Sequence, residues 1–424
     1  MKQEHGVTRY DVIVIGGGPA GMMAAGSAAE FGGRVLLLEK NPAPGKKLLI
    51  TGGGRSNITN AEFDNRKLLA KYGAKAKFLF SAFAQFDAKA ALDFFHSHRM
   101  PTKCEAEGRM FPATEKAESV WQCLVAYMKA GRVTVRANAE VTGFQIGKGV
   151  ITGIKLRGGE VLTARSYILA TGGTSRPETG STGEGFAWLE KLGHKVKHPE
   201  PALVPIRTKE AWAHKLSGLA FKEAKVSTFA RGILQESRVG KILFTHVGLS
   251  GPLILNMSKE IGELLKWGDV TLTIDLSPKQ DNGALDRSIQ ETFRIAQNKK
   301  LKNVLGEIVP STLAHLLPDL LSLDPEKEVN KVSRTERVAI VKFLKAIPLT
   351  PTGLLGVDKA VVVSGGVDLT EVDFRTMKSR LHPNLYLIGD ILDIDRPSGG
   401  YSLQLCWTTG RVAGTHAAKI NEVA

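Results

Sequence analysis

Residues Tyr10-Asp11-Val12-Ile13-Val14-Ile15-Gly16-Gly17-Gly18-Pro19-Ala20-Gly21 decide the fold. Tyr10 to Ile15 reads as a short apolar strand, and Ala20 to Glu30 as a helix of small residues. Between them lies Gly-x-Gly-x-x-Gly at positions 16, 18 and 21. Gly16 permits a tight turn, Gly18 lets the backbone reach a pyrophosphate, and Gly21 lets helix and strand pack closely. The helix start, with Pro19 leading and Ala20 supplying the first N–H beyond it, offers N–H groups and the positive end of a dipole to phosphate. Arg34 to Glu39 reads as a second strand, so residues 10–40 form one βαβ unit. Glu39 closes it 23 residues after Gly16, where a carboxylate accepts both hydroxyls of an adenosine ribose. An acid there argues against a 2′-phosphate, so FAD or NAD is expected rather than NADP.

A second glycine-rich segment follows at once. Pro44-Gly45-Lys46-Lys47 leads to Thr51-Gly52-Gly53-Gly54-Arg55-Ser56-Asn57. Three glycines followed by Arg and Asn fit a loop wrapped around a flat, polar-edged ligand. Arg55 supplies charge, and Asn57 both a donor and an acceptor. Lys40, Lys46, Gly52, Gly53, Gly54 and Ser56 join them as expected cofactor contacts.

Far along the chain, Gly389-Asp390 follows the apolar run Leu385 to Ile388, and a helix opens after Gly399-Gly400. Alone, Gly389-Asp390 would equally suit an ordinary strand-to-loop turn. An aspartate there can hydrogen-bond the ribitol and phosphate portion of a flavin. The helix start at Gly400, Tyr401 and Ser402 can face the N1–C2=O edge, where negative charge collects on reduction. Thr171-Gly172-Gly173 after another apolar strand gives a third approach, and Val141 heads a strand-like run expected beside the same ligand. A ligand reached from both ends of the chain suits FAD better than NAD.

At 424 residues the chain is long enough for more than one domain. Hydrophobic residues at 43% and charged residues at 23% exclude a disordered chain. No apolar run approaches the roughly 18 residues that cross a bilayer, so no membrane contact and a cytoplasmic location are expected. Cys104, Cys123 and Cys406 show no paired spacing, which argues against a disulfide framework or a metal site. The texture changes twice, giving an α/β, Rossmann-like FAD-binding domain interrupted by an insertion. The expected boundaries are 1–195 and 346–424 for the FAD-binding domain, 196–282 for a β-barrel-like insert, and 283–345 for a helical one.

Several motifs together carry a resemblance: IGGGPAGMMAA, PGKKLLITGGGRSNITN, GRMFP, ATGGTSRPETGSTGEG, LFTHVGLSGP and GDILDIDRPSGGYSLQLCWTTGRVAG. In order and over nearly the whole chain, they resemble the BaiN/RdsA family of NAD(P)/FAD-dependent oxidoreductases, the YhiN-like flavoproteins. The resemblance implies FAD as a held cofactor and NAD(P)H as a transient reductant. It connects the chain both with reduction of uridine to dihydrouridine in ribosomal RNA and with redox steps on bile acids. Three positions depart from the family pattern. Ser56 stands where a Cys is usual, Val363-Ser364-Gly365-Gly366 replaces a Thr-x-Gly-Gly turn, and Gly389-Asp390 replaces Gly-Glu.

The leading expectation is therefore flavin-dependent reduction of a C=C bond in an RNA base. A reductase of a small unsaturated or carbonyl compound, and a non-catalytic FAD-containing binding protein, are the alternatives. His246, within Phe244-Thr245-His246-Val247-Gly248, is a candidate proton donor. Tyr401 and Arg55 are the other catalytic candidates. The formal net charge is +15, of which +10 lies in residues 1–195. Arg66, Lys67, Lys71, Lys75 and Lys77 concentrate it in one segment, as contact with structured, ribosomal RNA would require.

Overall fold

The computed structural model describes residues 10–356 and 362–419. The chain divides into two compact units, Met1–Glu200 with Val363–Ala424, and Pro201–Val362. The first is built on five parallel strands in the order Leu385–Leu387, Ala164–Leu169, β1 (Tyr10–Ile15), β2 (Val35–Leu38), Thr134–Arg136. Val12, Ile13, Val14 and Leu37 are fully buried, which is why these strands are apolar without alternation.

Helix α1 (Pro19–Glu30) follows β1, and its small residues answer a packing demand. The closing helix, Tyr401–Ala418, runs against it at backbone contact. A Cβ on Gly410 would stand 2.6 Å from the Ala20 carbonyl oxygen, and one on Gly414 2.3 Å from that of Ala24. After β2 come α2 (Lys46–Ile50), α3 (Asn65–Ala70) and α4 (Ala76–Gln85). Two three-stranded antiparallel sheets flank the parallel one, with Val141–Gly147 in one and Arg109–Pro112 in the other, and Val196–Ala202 pairs with Val362–Val367 in a further two-stranded sheet.

The second unit carries seven antiparallel strands in the order Ile347–Leu349, Val270–Asp275, Ala220–Ala230, Ile233–Thr245, Gly248–Ser250, Ile206–Thr208, Pro351–Leu354. The two edge strands are separated only by Thr350, so the sheet curls toward closure. Four helices, from Asn282–Ile295 to Arg334–Lys345, share its core: Ile289, Leu313 and Ile340 lie in one apolar cluster with Leu272 and Ile274.

Three expected boundaries shift. Residues 196–200, expected in the β-barrel-like insert, fall in the first unit. The stretch 283–345 is not a separate body, because its helices bury their apolar faces on the sheet. Residues 346–356 belong with the insertion, since Leu349 pairs with Leu272 and Leu354 with Ile206. The short segment Ile347-Pro348-Leu349 hides its strand character behind a proline, which an edge strand tolerates. Residues 357–361, also expected in the resumed FAD-binding part, lie outside the described residues.

Candidate functional site

The glycines of the first turn divide their labour. Gly16 has φ +102°, and a Cβ there would sit 2.5 Å from the Ala170 carbonyl oxygen, so the turn presses on the neighbouring strand's end. A Cβ on Gly21 would meet the Gly16 carbonyl oxygen at 1.9 Å. Gly18, the N-cap of α1, faces open space, with nothing within 4 Å of its Cβ position. No side chain caps this helix, and Pro19 opens it. The geometry suits an incoming phosphate.

Glu39 is buried and ties the turn to β2. Its Oε2 accepts from the Gly17 N–H at 2.8 Å, and its Oε1 from the Asn41 N–H and Nδ2, both at 2.7 Å. The Gly45 N–H then donates to the Gly17 carbonyl at 2.7 Å and fastens α2 to the same turn. Of the paired lysines, Lys46 is exposed and Lys47 turns inward. The Lys47 ammonium donates to the Ser175 hydroxyl at 3.1 Å and has no carboxylate partner among the described residues. Burial pushes its pKa down, against the pull of nearby Asp390. Sequence reasoning named Lys46 and passed over Lys47; only the helical phase of α2 separates the two. Lys40 is taken by Glu184 and Thr182, each at 2.7 Å, and bridges to the segment after Thr171.

Two of the other expected segments, at Thr171 and at Gly389, meet this centre. Gly389 places its Cβ position 3.0 Å from the Ala20 Cβ, which sets Asp390 beside the start of α1. Gly172 (φ +74°) lies with Gly173 in the loop after Ala164–Leu169, and Thr171 and Thr174 there have buried hydroxyls without a partner. Gly52, Gly53 and Gly54 are all left-handed, and Gly53 and Gly54 face open space. Ser56 is left-handed too (φ 58°), fully buried, and its hydroxyl is unpartnered, as is the Asn57 side-chain oxygen. Buried polar atoms left unpaired are costly unless something else satisfies them. A dinucleotide with polar edges fits these residues.

Other expected residues are occupied otherwise. Arg55 forms ion pairs with Glu105 and Glu115 and lies over the Phe111 ring, 4.3 Å from its centroid. Tyr401 is buried, edge-on to Tyr72 at 6.1 Å, and burial raises its pKa. Gly400 lies against Thr59, where a Cβ would stand 2.4 Å from the carbonyl oxygen. Val141 is buried in its antiparallel strand, two residues after Ala139 donates to the Glu39 carbonyl at 2.9 Å. His246 lies in the exposed turn between two strands of the second unit. Arg396 was missed. It is buried, ion-paired with Asp390, and donates to the Ser402 hydroxyl at 3.1 Å and the Ile394 carbonyl at 2.7 Å. The Asp390 charge is therefore already balanced within the chain. An Arg before a proline and two glycines was the available signal.

The family model described as the HI0933-like protein Rossmann domain matches residues 10–416. The chain belongs to the HI0933-like family. Within it, this chain is 31% identical to the ribosomal RNA dihydrouridine synthase of Escherichia coli (strain K12), covering 95% of this chain and 96% of that one. It is 29% identical to the 3-dehydro-bile acid delta(4,6)-reductase of Clostridium scindens, over 96% of this chain and 98% of that one. Among solved structures, 3-ketosteroid delta1-dehydrogenase from Sterolibacterium denitrificans shares the fold, with TM-score 0.52, 15% identity, and coverage of 97% of this chain and 99% of that one. This HI0933-like chain is an oxidoreductase, and its parallel-sheet core is that of the family's Rossmann domain. No helix among the described residues is long and apolar enough to cross a membrane.

Proposed function

We propose that this oxidoreductase holds FAD in the cradle between Gly16–Gly21, Glu39, Thr171–Ser175 and Asp390, and reduces a C=C bond in a base of ribosomal RNA. The observation that carries the cofactor reading is the open Gly18 position beside a carboxylate that closes the turn. Bound FAD supplies hydride chemistry, recharged by a transient NAD(P)H; the chain supplies position and electrostatics. Glu39 keeps lone pairs for a ribose, and Lys47, without a carboxylate partner among the described residues, offers its amino group close to the Gly45–Gly17 junction. The Asp390–Arg396 pair presents acceptor and donor in one fixed arrangement. His246 is the proposed source of the proton at the carbon beside the reduced one, since Tyr401 and Arg55 are engaged in packing and ion pairs.

The RNA reading is supported by the Escherichia coli relative and by a second ribosomal RNA dihydrouridine synthase, from Haemophilus influenzae (strain Rd), 27% identical over 94% of this chain. It is supported also by the basic first half of the sequence. A second reading, reduction of a small unsaturated ring compound, rests on the bile acid relative. Mass-spectrometric comparison of ribosomal RNA from cells with and without the protein separates them. Loss of dihydrouridine at a defined site is the outcome expected, and an unchanged RNA would leave the small-molecule reading standing. In the purified enzyme, His246→Ala should keep FAD bound and slow substrate-dependent reoxidation by roughly 10²-fold, the scale of a lost general acid.

A further inference from the structure

Five basic residues between 66 and 77 look alike in the sequence, and the structure separates them. Lys75 is committed to Asp393, at 2.9 Å. Arg66, Lys67, Lys71 and Lys77 are exposed and have no ion-pair partner among the described residues. Arg66 and Lys67 lie on α3, Lys71 just past its end and Lys77 on α4; the two helices pack together as a hairpin. Its turn at 71–75 is anchored by the Lys75–Asp393 pair, and its open end by the Asn65 Nδ2 contact with Asp87 at 3.4 Å. The neighbouring acids are used locally: Asp64 caps α3 through the Arg66 and Lys67 N–H groups, and Glu62 accepts from the Asp64 N–H.

Two large aromatic rings are exposed in the same stretch of chain. Phe63, just before α3, is 55% exposed, and Phe80, on α4, is 46% exposed. Lys77, Phe80 and Ala84 recur at helical spacing on the solvent side of α4, while Leu79, Ala82 and Phe83 fill the buried side. Neither ring is needed by the core. A solvent-facing ring next to unpaired cations offers two things at once: a flat surface for a base and a charge for its phosphate.

We propose that the α3–α4 hairpin is a docking surface for unpaired RNA, with Phe63 and Phe80 stacking on bases and Arg66, Lys67, Lys71 and Lys77 following the backbone. This rests on the RNA reading above and narrows it. Base faces are accessible only in single-stranded or looped segments, so the hairpin selects RNA with splayed bases over a continuous duplex. Stacking and charge make separable contributions, because only the charge releases counterions.

The test uses the holoenzyme and two fluorescein-labelled probes: a single-stranded uridine-rich oligoribonucleotide, and the same strand annealed to its complement. Wild type should bind the single strand more tightly. Phe63→Ala/Phe80→Ala should weaken that binding by about 10- to 100-fold, the range for losing aromatic stacking on one or two bases. It should leave the duplex affinity and the salt dependence unchanged, and Phe63→Trp/Phe80→Trp should restore binding. Lys67→Gln/Lys71→Gln/Lys77→Gln should weaken both probes and flatten the salt slope by about one unit per lost phosphate contact. FAD content should be untouched in every variant. A wild type that binds the single strand while the double Ala variant binds it equally well would overturn the stacking surface and leave the RNA reading intact. A wild type that retains neither probe would overturn both, as would one that retains only vesicles of phosphatidylserine.

Discussion

The Glu39 carboxylate accepts a hydrogen bond from the Gly17 N–H at 2.8 Å, so the acid at the end of β2 holds the turn at the end of β1. Two consequences follow for Glu39→Ala. The variant loses the ribose acceptor and also the bond that shapes the turn. FAD affinity should fall by roughly 1–3 kcal/mol, the scale for a charge-assisted bond, and the melting temperature of the apoprotein should fall with it. Glu39→Gln, which keeps an acceptor, should fall less in both; calorimetric titration and thermal melting check this.

Gly18 and Gly21 make a paired test of what each glycine does. Gly18→Val should give a folded protein without flavin, because its side chain enters open space where phosphate belongs. Gly21→Val should not fold, because its Cβ would lie 1.9 Å from a carbonyl oxygen. Circular dichroism and flavin content together distinguish the two outcomes. Identical behaviour would show that the open space at Gly18 is not used.

Lys47 is the residue that separates the structure from the sequence reading. Lys47→Gln should weaken FAD and ADP binding by about 10-fold or more, as losing a hydrogen bond to a charged group implies. Adenosine, which lacks the diphosphate, should bind the variant as it binds wild type. Lys46→Gln, altering an exposed neighbour, should change neither.

A third kind of test concerns pH. His194 is buried between Glu371 and Ser379, each at 3.0 Å, and burial lowers its pKa although Glu371 works in the other direction. The folded protein therefore keeps this ring neutral where the unfolded chain, titrating near its ordinary value of about 6.5, takes a proton. The unfolded state binds more protons below that value, so stability drops as pH falls through it. His416, lowered chiefly by burial, adds in the same direction. The melting temperature should decline from about pH 7 to about pH 5, and less steeply in His194→Gln. A flat profile would contradict the assignment.

Much of the cradle was legible because its chemistry depends on contiguous residues. The first glycine turn, Glu39 and the segments at Thr171 and Gly389 are each readable from a few neighbours in the chain. What was not legible depends on rotation or on distance. Lys46 and Lys47 differ only in which way a five-residue helix turns, and no periodicity resolves that. Arg55 looked available because its partners Glu105 and Glu115 lie fifty and sixty residues away. Arg396 was overlooked because an arginine between an aspartate and a proline gives no sign of burial, and its pairing with Asp390 appears only in the fold. The edge strand Ile347–Leu349 escaped notice for a similar reason, since its partner Leu272 is remote.

The most direct measurement is of the cofactor itself. The purified protein should be yellow, and denaturing it should release one flavin per chain, identified by mass as FAD rather than FMN or NAD. Reduction by NADPH or NADH should then bleach the native protein. Colourless protein that takes up no FAD on reconstitution would contradict the cofactor assignment, and with it the roles of Gly18, Glu39 and Lys47 in binding.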